Sequence, residues 1–270
     1  LDQAHPRALI GGRTVRWLRW SLPALRHIPL SLPPTPEGSG AIPPFDGAAD
    51  APALITFTSG STRRPKGIVR TQGLLQRQMI LLERLLRHQP GEVELVSLPM
   101  FALINLGSGV TSVLPDGDLK HPGRLNPSRL LAQIAHHSID RLLLPPVICE
   151  QLVATEAMVT DIRWVLTGGG PIFPDLMRRL PLFAPNAEQV AVFGSTEAEP
   201  IAHLSINRIT AAEQVAMEGG AGILAGEPIN AIDLRIVDDE IWVAGEHVVS
   251  GYLDPADDVG IKVREGERIW

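Results

Sequence analysis

The sequence predicts an α/β fold in which helices cover both faces of a doubly wound, largely parallel sheet. Short apolar runs typical of buried strands alternate with segments of helical periodicity between residues 54 and 192, as in chained βαβ units. A hydrophobic content of 44% over 270 residues is enough for a sizeable core. Several extended runs after residue 219 predict a β-rich portion toward the C-terminus.

The first 52 residues are predicted to form a helix followed by a linker. Residues 1–30 contain five arginines, one acidic residue and two tryptophans, and we favour an amphipathic helix over a nucleic-acid or membrane-surface patch. Residues 31–52 contain six prolines and three glycines, which predicts an irregular segment. The predicted regions are therefore 1–52, an α/β core at 53–218 and a β-rich portion at 219–270.

Periodicity and end signals define the remaining elements. The predicted strands are 54–57, 68–69, 93–98, 140–144, 162–166, 189–192, 232–237, 240–244 and 247–252. The predicted helices are 71–88, a helix that begins at Asn126-Pro127, 147–154, and a helix with Pro174 in its first turn. Ligands of such sheets bind beyond the carboxyl ends of the strands.

Composition excludes several classes of protein. The formal net charge of −6 gives no reason to expect a nucleic-acid partner. The single cysteine, Cys149, excludes an internal disulfide, fits a reducing compartment and is expected to be inert packing; we therefore expect a cytoplasmic protein. No apolar run approaches the roughly 18 residues that a membrane span requires.

A turn rich in hydroxyls follows the first strand of the core. Residues 58–67 read TSGSTRRPKG. Hydroxyls, backbone N–H groups and Lys66 on one turn form a cradle for phosphate oxygens, whereas a solvent-facing hairpin tip would not need the lysine. The chain contains 21 arginines and only three lysines, so a lysine at this position favours phosphate binding. The Walker loop is excluded because Lys66 precedes Gly67.

Two further segments follow predicted strands at the edge where a ligand is expected. Residues 167–172 read TGGGPI, and three glycines let the backbone approach a flat ligand closely. Residues 192–200 read VFGSTEAEP, in which a capping box from Thr196 to Glu199 at the start of a helix is an alternative interpretation.

Together these segments resemble the adenylate-forming (AMP-binding) superfamily of acyl-CoA synthetases, peptide-synthetase adenylation domains and luciferases. Residues 58–67 resemble its pattern T-S-G-[ST]-T-G-x-P-K-G, with Arg63 in place of the usual glycine. Residues 168–172 and 193–197 resemble G-G-x-P-[LI] and [YF]-G-x-T-E, in the family's order. Residues 222–228, 239–245 and 251–252 resemble its G-x-x-G-x-P turn, its G-E-[IL]-x-V-x-G segment and its G-Y pair.

The resemblance implies a role for each matching residue. Lys66 and the loop would hold the β- and γ-phosphates of ATP, Thr196 would contact the α-phosphate, and Glu197 would hold Mg²⁺. Lys66, Thr196 and Glu197 are thus the predicted catalytic residues. The predicted nucleotide-binding set is Thr58, Ser59, Gly60, Ser61, Thr62, Lys66, Gly168, Gly169, Gly170, Pro171, Phe193, Gly194, Ser195 and Thr196. The predicted substrate pocket is Phe101, Gly170 and Phe193, although Phe101 fits an ordinary core position equally well.

The implied reaction is the ATP-dependent activation of a carboxylic acid, expected to be a fatty acid, as an acyl-adenylate. CoA or another thiol is the expected acceptor, and members like fatty acyl-CoA ligases and β-lactone synthetases resemble the chain most. The sequence ends before the family's T-G-D motif and lysine-bearing C-terminal domain, so we expect an incomplete N-terminal domain. Arg63, and Ala102 where the family has histidine, favour the alternative of a non-catalytic nucleotide-binding domain.

Overall fold

The computed structural model describes residues 6–10, 22–32, 47–58, 65–266 and 268–270, and it divides into two compact units. One unit comprises residues 1–73 and 249–264, and the other residues 74–248 and 265–270. The strands are β1 Ala8–Ile10, β2 Leu30–Leu32, β3 Pro52–Thr58, β4 Lys66–Thr71, β5 Val93–Val96, β6 Thr111–Val113, β7 Arg141–Leu144, β8 Trp164–Gly168, β9 Glu188–Phe193, β10 Ala202–Ser205, β11 Glu227–Pro228, β12 Asp233–Val237, β13 Glu240–Ala244, β14 Arg264–Glu265 and β15 Arg268–Ile269. The helices are α1 Pro23–Arg26, α2 Gln72–Leu86, α3 Pro99–Ser108, α4 Pro127–His136, α5 Pro146–Val153, α6 Pro174–Phe183 and α7 Ala211–Glu218.

The smaller unit contains the hairpin of β3 and β4. These strands pair antiparallel with Thr58 opposite Lys66, so the connection from 59 to 65 starts and ends at one strand pair. Residues 252–253 extend this hairpin through a bridge from Ile68 to Tyr252. The predicted helix around Trp17 and Trp20 and most of the predicted linker lie outside the described residues. The linker's first residues, however, are part of strand β2, which pairs parallel with β1.

A seven-stranded sheet forms the centre of the larger unit. Its strand order is β11-β10-β9-β8-β7-β5-β6, with β5 to β9 parallel and β10 and β11 antiparallel at one edge. The predicted α/β class with a largely parallel sheet is therefore confirmed. The predicted strand at 247–252 is wrong, because this stretch forms only isolated bridges at Val248 and Tyr252.

Alternate residues of each parallel strand enter cores on opposite faces of this sheet. Leu142 and Leu144 of β7 pack with residues of α4, α5 and α6, while Leu143 between them packs with residues of α2 and α3. Burial on both faces explains why the middles of these strands are mainly apolar instead of alternating with polar residues. Cys149 of α5 is 1% exposed, and burial raises the pKa of its thiol to about 12, so its predicted packing role fits the structure.

The helices begin where local chemistry permits. Asn126 caps α4 by accepting hydrogen bonds from the N–H groups of Ser128 and Arg129, and Pro127 occupies the first turn, as predicted. Helices α3 and α7 were not predicted. Helix α3 is apolar around most of its circumference and lacks a polar stripe, and it ends at Gly109 with φ 71°. None of the described helices is both long and apolar enough to cross a bilayer.

The C-terminal part of the larger unit is the antiparallel pair of β12 and β13, as predicted. The Arg235 guanidinium lies 5.0 Å from the ring centroid of Trp242 and 3.9 Å from that of Trp270. Glu265 accepts two hydrogen bonds from the same guanidinium, which raises the pKa of Arg235 and lowers the pKa of Glu265. These contacts connect the hairpin to the last residues of the chain.

Candidate functional site

The predicted glycine turn and the predicted VFGSTEAEP segment meet at the carboxyl edge of the central sheet. Strands β8 and β9 are parallel neighbours, with Gly168 opposite Val192. Residues 169–171 and 193–197 therefore leave the sheet side by side. Because the carboxyl ends of adjacent parallel strands share one edge, strand order alone brings these two sequence segments together.

Two of the three glycines are required by the backbone. A Cβ on Gly168 would lie 2.7 Å from the carbonyl oxygen of Val192, and Gly169 has φ +77°, a conformation that side chains disfavour. A Cβ on Gly170 would lie 3.9 Å from the nearest atoms, in Pro146, so this position would accept a side chain sterically. Gly170 instead leaves room in the cleft that it lines.

An apolar cleft of about 420 Å³ lies beside this edge. Phe193 is 38% exposed at the end of β9 and contributes to one wall. The residues that line the cleft are Gly169, Gly170, Pro171, Ile172, Ala191, Val192, Phe193, Gly194, Ile223, Leu224 and Ala225. The wall at 223–225 was not predicted as part of a site. Its sequence signal was the pair of glycines around it, since Gly226 lies so close to the carbonyl group of His203 that no side chain fits there.

Thr196 and Glu197 occupy the two central positions of a tight turn. The N–H of Ser195 donates to the carbonyl oxygen of Ala198 at 2.9 Å, and the reverse bond measures 3.1 Å. The Ser195 hydroxyl also accepts from the Ala198 N–H at 3.2 Å. Thr196 and Glu197 are half-buried. The segment thus joins β9 to the antiparallel β10 as a hairpin, in which the two predicted side chains are neighbours.

The alternative of a capping box at 196–199 is wrong, because no helix begins there. A capping box exists further along the chain, where the Thr210 hydroxyl accepts from the N–H of Glu213 and the Glu213 carboxylate accepts from the N–H of Thr210. These bonds lower the pKa of Glu213. The spacing S/T-x-x-E therefore occurs twice and has its helical meaning only once.

The predicted phosphate loop belongs to the smaller unit, and only its ends are described. Ser59, Gly60, Ser61, Thr62 and Arg63 lie outside the described residues.

Thr58 and Lys66, which flank the loop, face each other across the hairpin. The Lys66 ammonium lies 5.0 Å from the ring centroid of Tyr252, and no carboxylate of the described residues pairs with it. A Cβ on Gly67 would lie 3.1 Å from Leu253 and 3.2 Å from Phe57, which explains the glycine after this lysine.

The predicted substrate residues separate into two places. Gly170 and Phe193 line the cleft. Phe101 is 3% exposed on α3 and packs in the core cluster that contains Leu86 and Leu143, and it is not among the residues that line this cleft. Ala102, its neighbour, is half-buried on the same helix. The burial of Phe101 favours its core alternative, and its role in a substrate pocket stays a prediction.

The residues present are compatible with Mg²⁺ held jointly by protein and nucleotide. Within the described ranges, no three His, Cys, Asp or Glu side chains cluster as a preformed metal site. Mg²⁺ commonly takes one or two carboxylates, waters and substrate phosphates rather than a cage of protein ligands. A single carboxylate such as Glu197 is sufficient for that arrangement.

Comparison with known proteins identifies the family. The model of the AMP-binding enzyme family matches residues 20–253. The chain belongs to this family. The predicted resemblance is thereby confirmed over most of the chain, including the hairpin with Lys66, the glycine turn and the Thr196–Glu197 turn.

Relatives and solved structures agree with this assignment. An olefin beta-lactone synthetase of Xanthomonas campestris pv. campestris is 31% identical over 253 residues, which are 88% of this chain and 45% of that protein. An olefin beta-lactone synthetase of Stenotrophomonas maltophilia is 29% identical over 304 residues, with coverage of 98% and 54%. The chain thus spans about half the length of these relatives.

A solved structure provides the same fold. The O-succinylbenzoate coenzyme A synthetase from Bacillus subtilis, in complex with ATP and magnesium ion, superposes with a TM-score of 0.69 at 20% identity. The match covers 97% of this chain and 58% of that protein. At this identity the similarity concerns the fold.

Proposed function

We propose that the protein activates a carboxylic acid with ATP, forming an acyl-adenylate and pyrophosphate. A carboxylate oxygen of the acid attacks the α-phosphorus, and the bond from that phosphorus to the bridging oxygen breaks. Pyrophosphate leaves with the bridging oxygen. Such a reaction depends mainly on alignment and on neutralisation of phosphate charge.

The observation that carries this proposal is the arrangement at the carboxyl edge of the sheet. Backbone of the glycine turn and the ring of Phe193 border an apolar cleft, and the turn that bears Thr196 and Glu197 starts beside it. A flat, largely apolar base suits the cleft, and a hydroxyl with a carboxylate suits a phosphate with its metal ion. Family membership makes ATP the nucleotide of choice.

Each predicted phosphate or metal residue has a proposed role in this step. Thr196 donates to an α-phosphate oxygen, and Glu197 would hold Mg²⁺, which when bound offsets phosphate charge. Thr58, the loop 59–62 and Lys66 would hold the outer phosphates. Among the described residues Lys66 contacts the ring of Tyr252 and forms no ion pair, and an ammonium that these residues leave unneutralised suits phosphate binding.

A fatty acid is our proposed substrate, and CoA or another thiol our proposed acceptor. The acyl group would pass to sulfur with AMP as the leaving group and loss of the thiol proton. The relatives named olefin beta-lactone synthetase support a second candidate, in which the acid carries a β-hydroxyl group. The oxygen of that hydroxyl attacks the acyl carbon and closes a β-lactone ring, AMP leaves and the hydroxyl proton is lost. Both candidates begin with the same adenylation.

A panel of fatty and aromatic acids tests the shared first step. The full chain is incubated with ATP, Mg²⁺ and each acid, and pyrophosphate release and pyrophosphate–ATP exchange are measured. Acid-dependent exchange supports the proposal. Binding of Mg²⁺·ATP by calorimetry without exchange for any acid would instead support a non-catalytic nucleotide-binding domain.

A matched pair of lysine variants tests the assignment of the loop. Lys66→Met should lower the exchange rate roughly 100-fold, as expected when a group that stabilises developing charge is lost. Lys120→Met removes the same charge from an exposed position and should leave the rate within about twofold. Equal rates for the two variants would remove Lys66 from the site.

A further inference from the structure

His247 is a buried histidine without a role in the reaction proposed above. Its side chain is nearly inaccessible, with 1% of the residue exposed. Its Nε2 atom lies 3.0 Å from the carbonyl oxygen of Pro200. Because a carbonyl oxygen only accepts hydrogen bonds, Nε2 must carry a proton and donate it to this contact.

The other ring nitrogen is buried beside Gly245. Nδ1 has no hydrogen-bond partner among the residues that the structure describes. A Cβ built on Gly245 would lie 3.2 Å from Cε1 and 3.3 Å from Nδ1 of the ring, and 2.9 Å from the carbonyl oxygen of Ala231. Gly245 thus leaves the space that the imidazole occupies, and the ring is fixed in the tautomer with hydrogen on Nε2.

The backbone around His247 is held from two sides. The buried Gln78 side chain of α2 donates to the carbonyl oxygen of His247 at 3.2 Å. The next residue, Val248, forms a β-bridge with Ala198. Two consecutive residues therefore contact the hairpin connection between β9 and β10, His247 through its ring at Pro200 and Val248 through its backbone at Ala198.

This connection carries the side chains of the proposed phosphate and metal site. Its base is closed by the hydrogen bond from the N–H of Ile201 to the carbonyl oxygen of Phe193 at 2.9 Å. Its tip is the turn at 195–198 that presents Thr196 and Glu197. Reactive geometry is sensitive to displacements of about 1 Å, so the support of such a turn affects catalysis without touching the substrate.

We propose that His247 is a positioning residue for Thr196 and Glu197, acting through its hydrogen bond to Pro200. The catalytic consequence rests on the proposed adenylation, whereas the anchoring of the turn does not. Segment 245–248 is held by α2, and the hydrogen bond from the imidazole to Pro200 fixes the position of the turn relative to this segment. A side chain that donates at the place of Nε2 should preserve this function.

Two amides that differ only in reach provide the test. The His247→Gln amide nitrogen can take the place of Nε2, while the shorter His247→Asn amide nitrogen takes the place of Nδ1 and cannot reach Pro200. His247→Ala removes the donor altogether. Leu130→Ala, in the fully buried core around α4, is the control for a general loss of stability.

Hydrogen exchange reads the anchoring directly. In the full chain, exchange of the amides of residues 195–199 and 201 should accelerate in the Asn and Ala variants, remain near wild type in the Gln variant, and change in Leu130→Ala only with global unfolding. Unchanged protection of this segment in His247→Ala would overturn the proposal.

The Mg²⁺ concentration that the exchange reaction requires tests the catalytic consequence of the positioning by His247. The concentration of Mg²⁺ that gives half-maximal pyrophosphate exchange should rise about fivefold for the Asn variant and less than about twofold for the Gln variant, as for one lost hydrogen bond. Equal requirements in the Asn, Gln and Leu130→Ala variants would refute the positioning role. One outcome separates the two proposals: the wild-type protein shows no pyrophosphate–ATP exchange with any acid of the panel, while the amide hydrogen exchange of the variants follows the expected pattern. That result would refute the proposed adenylation and leave the anchoring by His247 supported.

Discussion

The carboxyl ends and the amino ends of the parallel strands in the central sheet differ in residue type and in burial. At the carboxyl ends, glycines and an exposed Phe193 line a cleft, and the half-buried Glu197 lies on the turn that follows β9. At the amino ends, a cluster of acidic and basic side chains is almost completely buried, with exposures of 0% for Glu94 and 2% for Arg141. One end thus leaves polar groups near a ligand cleft, whereas the other neutralises its charges internally.

The buried cluster at the amino ends is tightly bonded. Arg141 contacts Glu94 at 3.3 Å and Glu92 at 3.2 Å, and it donates to the carbonyl oxygen of Leu86 at 2.6 Å. Asn105 donates to the second carboxylate oxygen of Glu94 at 2.7 Å. Removal of one partner from such a cluster leaves an uncompensated buried charge. We therefore expect the stability of the fold to depend on the amino ends of the strands and the proposed chemistry to depend on their carboxyl ends.

The largest effect is expected at the amino ends. Arg141→Met should lower the free energy of unfolding by about 3–5 kcal/mol, because Glu92 and Glu94 lose their buried counter-charge. Denaturant unfolding measures the change, and the exchange rate of the folded fraction should stay near wild type. The control is Arg163→Met, since Arg163 pairs with Asp140 and Glu92 from an exposed position and should cost under about 1 kcal/mol. Equal losses would contradict the importance of burial.

The next effect belongs to the carboxyl ends. Glu197→Gln should reduce pyrophosphate exchange by roughly 100- to 1000-fold, comparable to loss of a group that stabilises the transition state, with little change in unfolding free energy. Glu227→Gln, an exposed carboxylate of β11, is the control. A large loss of stability in Glu197→Gln with an unchanged exchange rate would reverse the comparison.

A smaller effect separates the glycines of the turn. Gly168→Ala should destabilise the fold by about 1–3 kcal/mol, because its methyl group would meet the Val192 carbonyl oxygen. Gly170→Ala should leave unfolding almost unchanged and weaken ATP binding, since its methyl group would enter the cleft that Gly170 lines. Calorimetric binding and denaturant unfolding distinguish the two. If Gly168→Ala unfolded like wild type, the close packing of β8 against β9 would be wrong.

The smallest expected effect is the pH dependence of folding stability that His247 contributes. Burial lowers the pKa of His247 in the folded state, with a hydrogen bond to Pro200 opposing it, whereas the unfolded chain titrates near the ordinary value of about 6.5. The unfolded state therefore takes up the proton first, so this contribution to stability is complete above that pH and falls as the pH decreases toward the folded pKa. The slope is at most about 1.4 kcal/mol per pH unit. His247→Gln should lack it when unfolding is measured from neutral to mildly acidic pH.

The sequence predicted the parallel strands well because their signals are local. The apolar runs that became β7, β8 and β9 are short, continuous and bounded by turn residues, so periodicity and length sufficed. The residues of the glycine turn and of the Thr196–Glu197 turn could also be predicted, since each directly follows such a strand. Sheet order then placed them together.

The parts that sequence reasoning missed depend on tertiary packing. Helix α3 packs on the sheet through Phe101 and Ile104 but also has the exposed apolar residues Leu103 and Leu106, so its apolar residues do not mark one face. The wall at 223–225 lies beside β9 only because the chain folds back to this edge of the sheet. Phe101 fitted a core position and a pocket position equally well, because both positions favour the same kind of side chain. The role of His247 depends on a carbonyl group 47 residues away, so no local pattern could indicate it.

The reversal of chain direction after β9 has an electrostatic consequence. Many phosphate sites at strand ends are followed by a helix, whose amino terminus supplies about half a positive charge through its dipole. Residues 194–201 contain no helix and lead into the antiparallel β10, so Thr196 and Glu197 receive no such field from their own element. Glu197 even adds negative charge. We expect nucleotide binding at this turn to depend steeply on the concentration of divalent cation, because the anion and the metal ion would bind together.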